Sequence, residues 1–355
     1  MASRPEPPTG GAAASLATRL ADRIRAEGPL SFVDWVEACL YDPHGGFYAS
    51  GGTAGRRGDF LTSPEVGPLF GAVLARWLDA RWEALGRPEG FTVVEAAAGA
   101  GTLACAVAAA DPACLAAGRY VMVERSPVLR SSQPTGDGLA SVADLSDVES
   151  LDAGVVLANE LLDNLAFDLL ESDGAGWREV RVDAAEGAFA EVLGATLEPP
   201  VPVTEAEAGA RIPVQDGARR WVADALDLVG RGSVLVVDYA STTVEMAVRP
   251  PDEWLRTYRG HNRGGAPVDA PGTQDVTVEV AVDQLVPGAT TSTQAGFLRA
   301  HGIDDLVEAG RRLWGEQAHL GDLEALKARS RIAEAEALVD PSGLGGFTVL
   351  EWPVG

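Results

Sequence analysis

The stretch Phe91-Thr-Val-Val-Glu95-Ala-Ala-Ala-Gly99-Ala-Gly101-Thr102-Leu103 constrains the fold more than any other part of the chain. A β-branched apolar run ends on an acid, crosses a turn of small residues and opens into the helical run 103–110. Small residues let the backbone approach a bulky ligand, and the first turn of the helix points free N–H groups at it. A carboxylate as close to the turn as Glu95 disfavours a pyrophosphate and suits an ammonium, so S-adenosylmethionine fits this unit better than NAD. Tyr120-Val-Met-Val-Glu124 ends in a second acid about 25 residues after Gly99, where such sheets bind ribose hydroxyls. In the nucleotide-methyltransferase pattern acid-x-Gly-x-Gly-x-Gly, the first glycine is here Ala97. An alanine held at positive φ there costs on the order of 1 kcal/mol. The same strand–turn–helix unit also occurs as a plain βα connection.

The pattern around this unit predicts an α/β chain with a mostly parallel sheet. Leu16, Leu20 and Ile24 share one face of a helix over 16–27, and Ser31-Phe-Val-Asp34 opens a second helix through about Leu40. Tyr41-Asp-Pro-His-Gly-Gly-Phe-Tyr48 reads as a turn, 51–58 as a loop, and Ser63-Pro64 as the start of a helix reaching about Leu85. Strands follow at 91–95, 120–124 and 141–143, and Gly154-Val-Val-Leu-Ala-Asn159 has the continuous apolar character of a central parallel strand. Short strands at 167–171, 177–182 and 189–193 form a meander, after which helix 216–229 and strand 234–238 resume the alternation. Residues 250–287 read as loop-rich, 293–338 as helical, and 347–352 as a final edge strand. The expected organisation is a disordered lead-in over 1–15, an N-terminal helical cap over 16–90, and a core over 91–355 carrying the meander (about 167–195) and the helical region as insertions.

Composition excludes several functions. The formal net charge of −24 argues against sequence-independent nucleic-acid binding, which needs clustered lysine and arginine. No apolar run approaches the roughly 20 residues that cross a bilayer, so no membrane span is expected. Cys39, Cys105 and Cys114 lack C-x-x-C spacing and read as reduced thiols, and His44, His261, His301 and His319 are scattered, so no metal site is expected. Residues 1–14 have no apolar core of a secretory signal and carry Glu6 with few arginines. A cytoplasmic protein is the expectation. Eight tryptophans leave room for an exposed aromatic patch and a homodimer.

Ligands of open α/β sheets bind beyond the carboxyl ends of the strands. Glu95, Glu124, Asn159-Glu160-Leu-Leu-Asp163 and Asp238-Tyr239 are polar strand ends on apolar strands, and together they predict one crevice. Glu95, Gly99, Gly101, Glu124 and Asn159 are the cofactor-binding candidates. Methyl transfer from a sulfonium requires an aligned acceptor with a free lone pair, and a guanidinium or amine is served by carboxylates that orient it and take a proton. Glu160 and Asp163, three apart at an expected helix start, are the catalytic candidates. The segment 58–65 reads either as a well-capped helix start or as a lid over the methionine end of the cofactor, with Asp59, Thr62 and Ser63 as contacts.

Gly58-Asp-Phe-x-Thr-Ser-Pro-Glu65, Phe70-Gly71 and Glu95-x-x-x-Gly-x-Gly-Thr-Leu103 together resemble the MidA-like methyltransferases. Further matches run in family order: Val123-Glu124-x-Ser126-Pro127, Asn159-Glu160-Leu-Leu-Asp163, Trp177-Arg-Glu-Val180, Val237-Asp238-Tyr239, Leu255-Arg-Thr-Tyr-Arg-Gly-His261, Pro271-Gly-x-x-Asp275-Val-Thr277 and Gln294-x-x-Phe-Leu298 before Gly302-Ile303. They reach from about residue 30 to 352. The resemblance implies a class I (Rossmann-like) methyltransferase sheet, S-adenosylmethionine and a protein acceptor. Mitochondrial members of that family are complex I assembly factors that methylate an arginine of a complex I subunit. The family's Glu-Leu-Gly-Pro-Gly-Arg-Gly turn is here Glu95-Ala-Ala-Ala-Gly-Ala-Gly101, its Asp-Ala-Leu-Pro is Asp163-Asn-Leu-Ala166, and the glycine it usually carries after Asp238-Tyr239 is Ala240. These departures motivate an alternative, a non-catalytic assembly protein that keeps a degenerate methyltransferase fold.

Overall fold

The computed structural model describes residues 15–49, 62–185, 187–203, 206–260, 262–319 and 323–355. The expected lead-in up to residue 14, Asp59 and the first part of the 58–65 segment lie outside the described residues.

Seven strands form the central sheet: β1 (Thr92–Ala96), β2 (Arg119–Val123), β3 (Leu139–Val142), β4 (Gly154–Asn159), β5 (Gly232–Asp238), β6 (Thr290–Thr293) and β7 (Thr348–Val354), in the order β6-β7-β5-β4-β1-β2-β3. All neighbours pair in parallel except β7, which runs antiparallel to both β5 and β6. The period-two alternation of each strand divides its side chains between two cores. Val93, Tyr120, Val155, Leu157, Leu235 and Val237 pack on one face with the helices α4 (Pro68–Ala84) and α5 (Thr102–Ala109). Val94, Val121, Val156, Val234 and Val236 pack on the other with the helix Asp216–Leu228. The chain moves outward from β1 through β2 to β3, then returns to place β4 on the other side of β1. A crevice opens at the carboxyl ends of β1 and β4, where the strand order reverses.

A second layer closes over that crevice. Helices α1 (Leu16–Glu27) and α2 (Phe32–Tyr41) bury Leu20, Ile24, Phe32, Trp35 and Val36 against Phe167, Val180, Val182, Trp254 and Val276. Leu30–Ser31 pairs with the meander strand Trp177–Ala185, so the N-terminal helices and the meander form one body.

Four expectations need correction. The helix expected from Ser63 to about Leu85 is two helices, α3 (Ser63–Val66) and α4, with Thr62 rather than Ser63 at the N-cap. Pro68 disfavours helical backbone at Gly67, and the Glu334 carboxylate fills the space that a Gly67 side chain would need. Residues 347–352 are not an edge strand, because the four polar residues of β6 pair along the outer side of β7. The loop-rich 250–287 region contains a small sheet of Leu255–Arg259, Asn262–Arg263 and Asp275–Val278, whose mixed Arg, Thr and Asp side chains hid the period. The eight tryptophans are buried or half-buried, so no exposed tryptophan patch forms.

Candidate active site

The glycine turn adopts the conformation its sequence resists. Ala97 lies at φ 54°, Gly99 at 54° and Gly101 at 84°. A side chain at Gly101 would meet Pro134 at 2.9 Å and Met122 at 3.0 Å, whereas one at Gly99 would meet nothing within 4 Å. Neighbouring groups hold the turn in place. Ala98 N–H donates to Val123 O at 3.1 Å, Gln133 Nε2 donates to Gly99 O at 2.8 Å, and Thr102 Oγ1 donates to Glu65 Oε1 at 2.7 Å. The last bond ties the Thr-Ser-Pro-Glu65 segment to the start of α5. Ala97 therefore does the work of the missing first glycine under strain. Ala97→Gly should stabilise the protein by about 1 kcal/mol, a rise of about 2 °C in thermal melting. A lower melting temperature would show that the alanine methyl packs more than it strains.

The two strand-end acids take different places. Glu124 spans the turn: Gly99 N–H donates to Oε2 at 3.0 Å and Ser126 N–H to Oε1 at 2.7 Å. Burial raises its pKa, and those two donors oppose the rise. Glu95 points under the turn, 5 % exposed, and accepts the Tyr120 hydroxyl at 2.8 Å and the Ala104 N–H in the first turn of α5. Burial pushes it up to about 8 against those two bonds.

At the end of β4 a group of carboxylates gathers. Glu160 follows the strand at φ 53°, a left-handed conformation that costs a non-glycine residue about 1 kcal/mol or more. Its N–H donates to Val237 O at 2.8 Å, and its carboxylate accepts Asn159 Nδ2 at 3.1 Å and Ser63 N–H at 3.4 Å. The expected helix start at 160–163 is a three-residue 3-10 turn, Leu162–Asn164, capped by Asp238 through the Leu162 and Asp163 N–H groups. Asp163 consequently turns inward. One of its oxygens accepts the Thr277 hydroxyl at 2.6 Å and the Tyr239 hydroxyl, while Oδ1 is buried without a partner. Asp275 lies beyond, accepting Asn164 Nδ2 at 3.1 Å and the Tyr48 hydroxyl at 3.3 Å. Burial, then the neighbouring Asp163, push Glu160 up to about 8 and Asp275 up to about 7. Among the described residues no arginine, lysine or histidine pairs with Glu160, Asp163, Asp238 or Asp275.

These shifts carry a sign that can be checked. Glu95, Glu160 and Asp275 all titrate higher folded than unfolded, so their contribution is full at acid pH and is lost as pH rises through 7 to 8. The ligand-free protein should melt several degrees lower at pH 8.5 than at pH 6, by differential scanning fluorimetry. A melting temperature that climbs over that range would mean the carboxylates are ionised and held by cations.

A cleft of about 1680 Å³ joins these parts. Thr62, Glu95, Gly99, Glu124, Asn159 and Glu160 line it; Ser63, Gly101 and Asp163 do not. Ser63 is fully buried, its hydroxyl donating to Gln294 Oε1 at 2.9 Å, and so anchors α3 instead of facing the cleft. Sequence reasoning missed Tyr41, Tyr48, Arg125 and Asp144, which also line the cleft. The strand-end rule that found Glu124 applies equally to Asp144, just past β3. Tyr41 and Tyr48 bracket a segment that its Pro and Gly mark as a turn, and nothing local assigns them a face.

The residues fit S-adenosylmethionine. The turn is open at Gly99, the Glu124 carboxylate keeps lone pairs beyond its two N–H donors, and Asn159 Oδ1 is a buried acceptor without a partner. Residues 73–301 match the family described as "Putative S-adenosyl-L-methionine-dependent methyltransferase". The chain belongs to this methyltransferase family. Its relatives include "Protein arginine methyltransferase NDUFAF7, mitochondrial" of Mus musculus, 26% identical over 343 residues, covering 84% of this chain and 77% of that protein. The Drosophila melanogaster homolog is 30% identical over 217 residues, 52% of this methyltransferase and 50% of the fly protein. A Burkholderia thailandensis protein crystallised with S-adenosyl-homocysteine superposes with a TM-score of 0.80 at 26% identity, over 95% of this chain and 91% of that one. The class I sheet and the cofactor expected for the methyltransferase stand. The cytoplasmic expectation does not: these animal relatives bear mitochondrial names, and reduced cysteines and a short N-terminal composition do not distinguish the two compartments. The non-catalytic alternative is not favoured either, because the family model is that of a methyltransferase and the relatives are named as methyltransferases.

Proposed function

We propose that this methyltransferase modifies a guanidinium nitrogen of an arginine in a protein substrate. The observation that carries the reading is the strained, cleft-lining Glu160 backed by Asp163, Asp238 and Asp275, with no paired cation among the described residues. A buried set of carboxylates without counter-charge favours a cationic ligand with several N–H donors, and a guanidinium has five. The curated relatives' names, protein arginine methyltransferase, support the same substrate class.

In this reading Glu124 holds the ribose hydroxyls, Asp144 and the backbone beside it face the adenine, and Glu95 fixes the turn and α5 from beneath, where it was expected to meet the ammonium. Thr62 and Glu65 border the methionine end. The cofactor, when bound, supplies an electrophilic methyl group. Glu160 orients the acceptor nitrogen through an N–H···O bond and accepts the proton that this nitrogen releases as its bond to carbon forms. Asp163 acts behind Glu160: burial first, and then the charge of Asp163, keep the Glu160 pKa high, which makes Glu160 a competent base near neutral pH.

The direct test incubates the protein with methyl-tritiated S-adenosylmethionine and peptide arrays carrying single arginine, lysine or histidine residues, followed by acid hydrolysis and amino-acid analysis. Label in methylarginine supports the reading. Label confined to methyllysine or methylhistidine overturns it.

A further inference from the structure

Tyr41, at the end of α2, and Tyr48 stack with ring centroids 5.4 Å apart and planes 20° from parallel, and both line the cleft. Their hydroxyls reach into the core, Tyr41 donating to Asn164 O at 3.0 Å and Tyr48 to Asp275 at 3.3 Å. The Tyr48 bond reaches Asp275 directly, and Asn164, which accepts the Tyr41 hydroxyl at its backbone oxygen, donates its side-chain amide to the same Asp275. A guanidinium already sits on this wall: Arg125, one residue past Glu124, places its Cζ 4.5 Å from the Tyr41 ring centre and bonds Glu37 on α2 at 2.6 Å. Arg125 is mostly exposed. An aromatic face, a carboxylate at its edge and a flat cation between them are the elements of guanidinium selection over ammonium, because only the planar group stacks and bonds at once.

We infer that the Tyr41–Tyr48 stack is the selectivity wall of the acceptor channel, and that Arg125 is a built-in competitor which the substrate arginine displaces from the Tyr41 face on its way to Glu160. This inference rests on the arginine reading above.

The test titrates N-acetyl-arginine N-methylamide, and its lysine analogue, into protein saturated with S-adenosylhomocysteine, followed by NMR. The arginine probe should bind more tightly than the lysine probe. Tyr41→Leu and Tyr48→Leu should weaken it about tenfold, while Tyr41→Phe and Tyr48→Phe stay within about twofold, because the ring and not the hydroxyl carries the attraction. S-adenosylhomocysteine affinity and melting temperature report whether each variant is folded. If a Leu variant does not fold, Arg125→Gln tests the same face from an exposed side chain and should strengthen probe binding severalfold. Leu and Gln variants that bind as the wild type does, with Glu160→Gln still weakening the probe, overturn the wall and leave the arginine reading standing. A wild type that binds neither probe, or prefers lysine, overturns both.

Discussion

Glu160→Gln is expected to lower kcat for methyl transfer by at least about 100-fold while S-adenosylhomocysteine affinity stays within about twofold. The substitution keeps the size of the side chain and one oxygen to accept the Asn159 and Ser63 donors, which both bond Oε1. What it removes is the proton acceptor. A separation of this kind, with binding retained and turnover lost, distinguishes a group that acts on the acceptor from one that builds the cofactor pocket. The pH dependence makes the expectation sharper. Glu160 is pushed up to about 8 in the free protein, so kcat/KM should rise with pH through neutrality and level off near there. That limb reports the carboxylate group rather than one residue, because Asp163 is a principal cause of the shift after burial. Asp163→Asn should therefore move the limb to lower pH and reduce rate through a weaker base, with less loss than Glu160→Gln. If Glu160→Gln retains half or more of the wild-type kcat, the base lies elsewhere in the cleft.

How much of this was legible from the residues depends on whether the cause is local. The alternation in Val93-Val94 and Val155-Val156 divides between two cores as a parallel sheet requires, and the strand ends Glu95, Glu124 and Asn159-Glu160 do fall at one end of it. The cost at Ala97 was likewise readable, since a missing glycine in a turn of that spacing leaves the backbone little choice of φ. Three kinds of information were not local. The direction of Asp163 follows from a 3-10 turn capped by Asp238, some 75 residues away, and helical spacing on its own pointed it the wrong way. The break at Gly67 depends on Pro68 and on Glu334 arriving from the far end of the chain. Tyr41 and Tyr48 line the cleft because the N-terminal helices pair with the meander and so reach the crevice. Apolar periodicity reports burial and says little about which buried polar group will face a ligand.

Glu124→Ala should weaken S-adenosylmethionine and S-adenosylhomocysteine by about 1–3 kcal/mol, or roughly 5- to 150-fold, with the protein still folded. The loss has two sources. In the proposed placement the ribose hydroxyls lose an acceptor, and the Gly99 and Ser126 N–H groups lose theirs, so the turn is no longer pinned to the end of β2. The more discriminating substitution is Glu124→Gln, which keeps the shape of the side chain. Each carboxylate oxygen of Glu124 accepts one backbone N–H, from Gly99 on one side and Ser126 on the other. An amide offers one oxygen, so either rotamer sets its NH₂ against a backbone N–H, and the turn must move to relieve the contact. Glu124→Gln is therefore expected to bind the cofactor within about threefold of Glu124→Ala, far from the behaviour of a conservative change. Calorimetric titration of both variants with S-adenosylhomocysteine decides the matter. If the Gln variant binds as the wild type does, then one hydrogen-bond acceptor suffices at the end of β2, and the carboxylate neither pins the turn nor supplies the second acceptor that the cofactor site is built around.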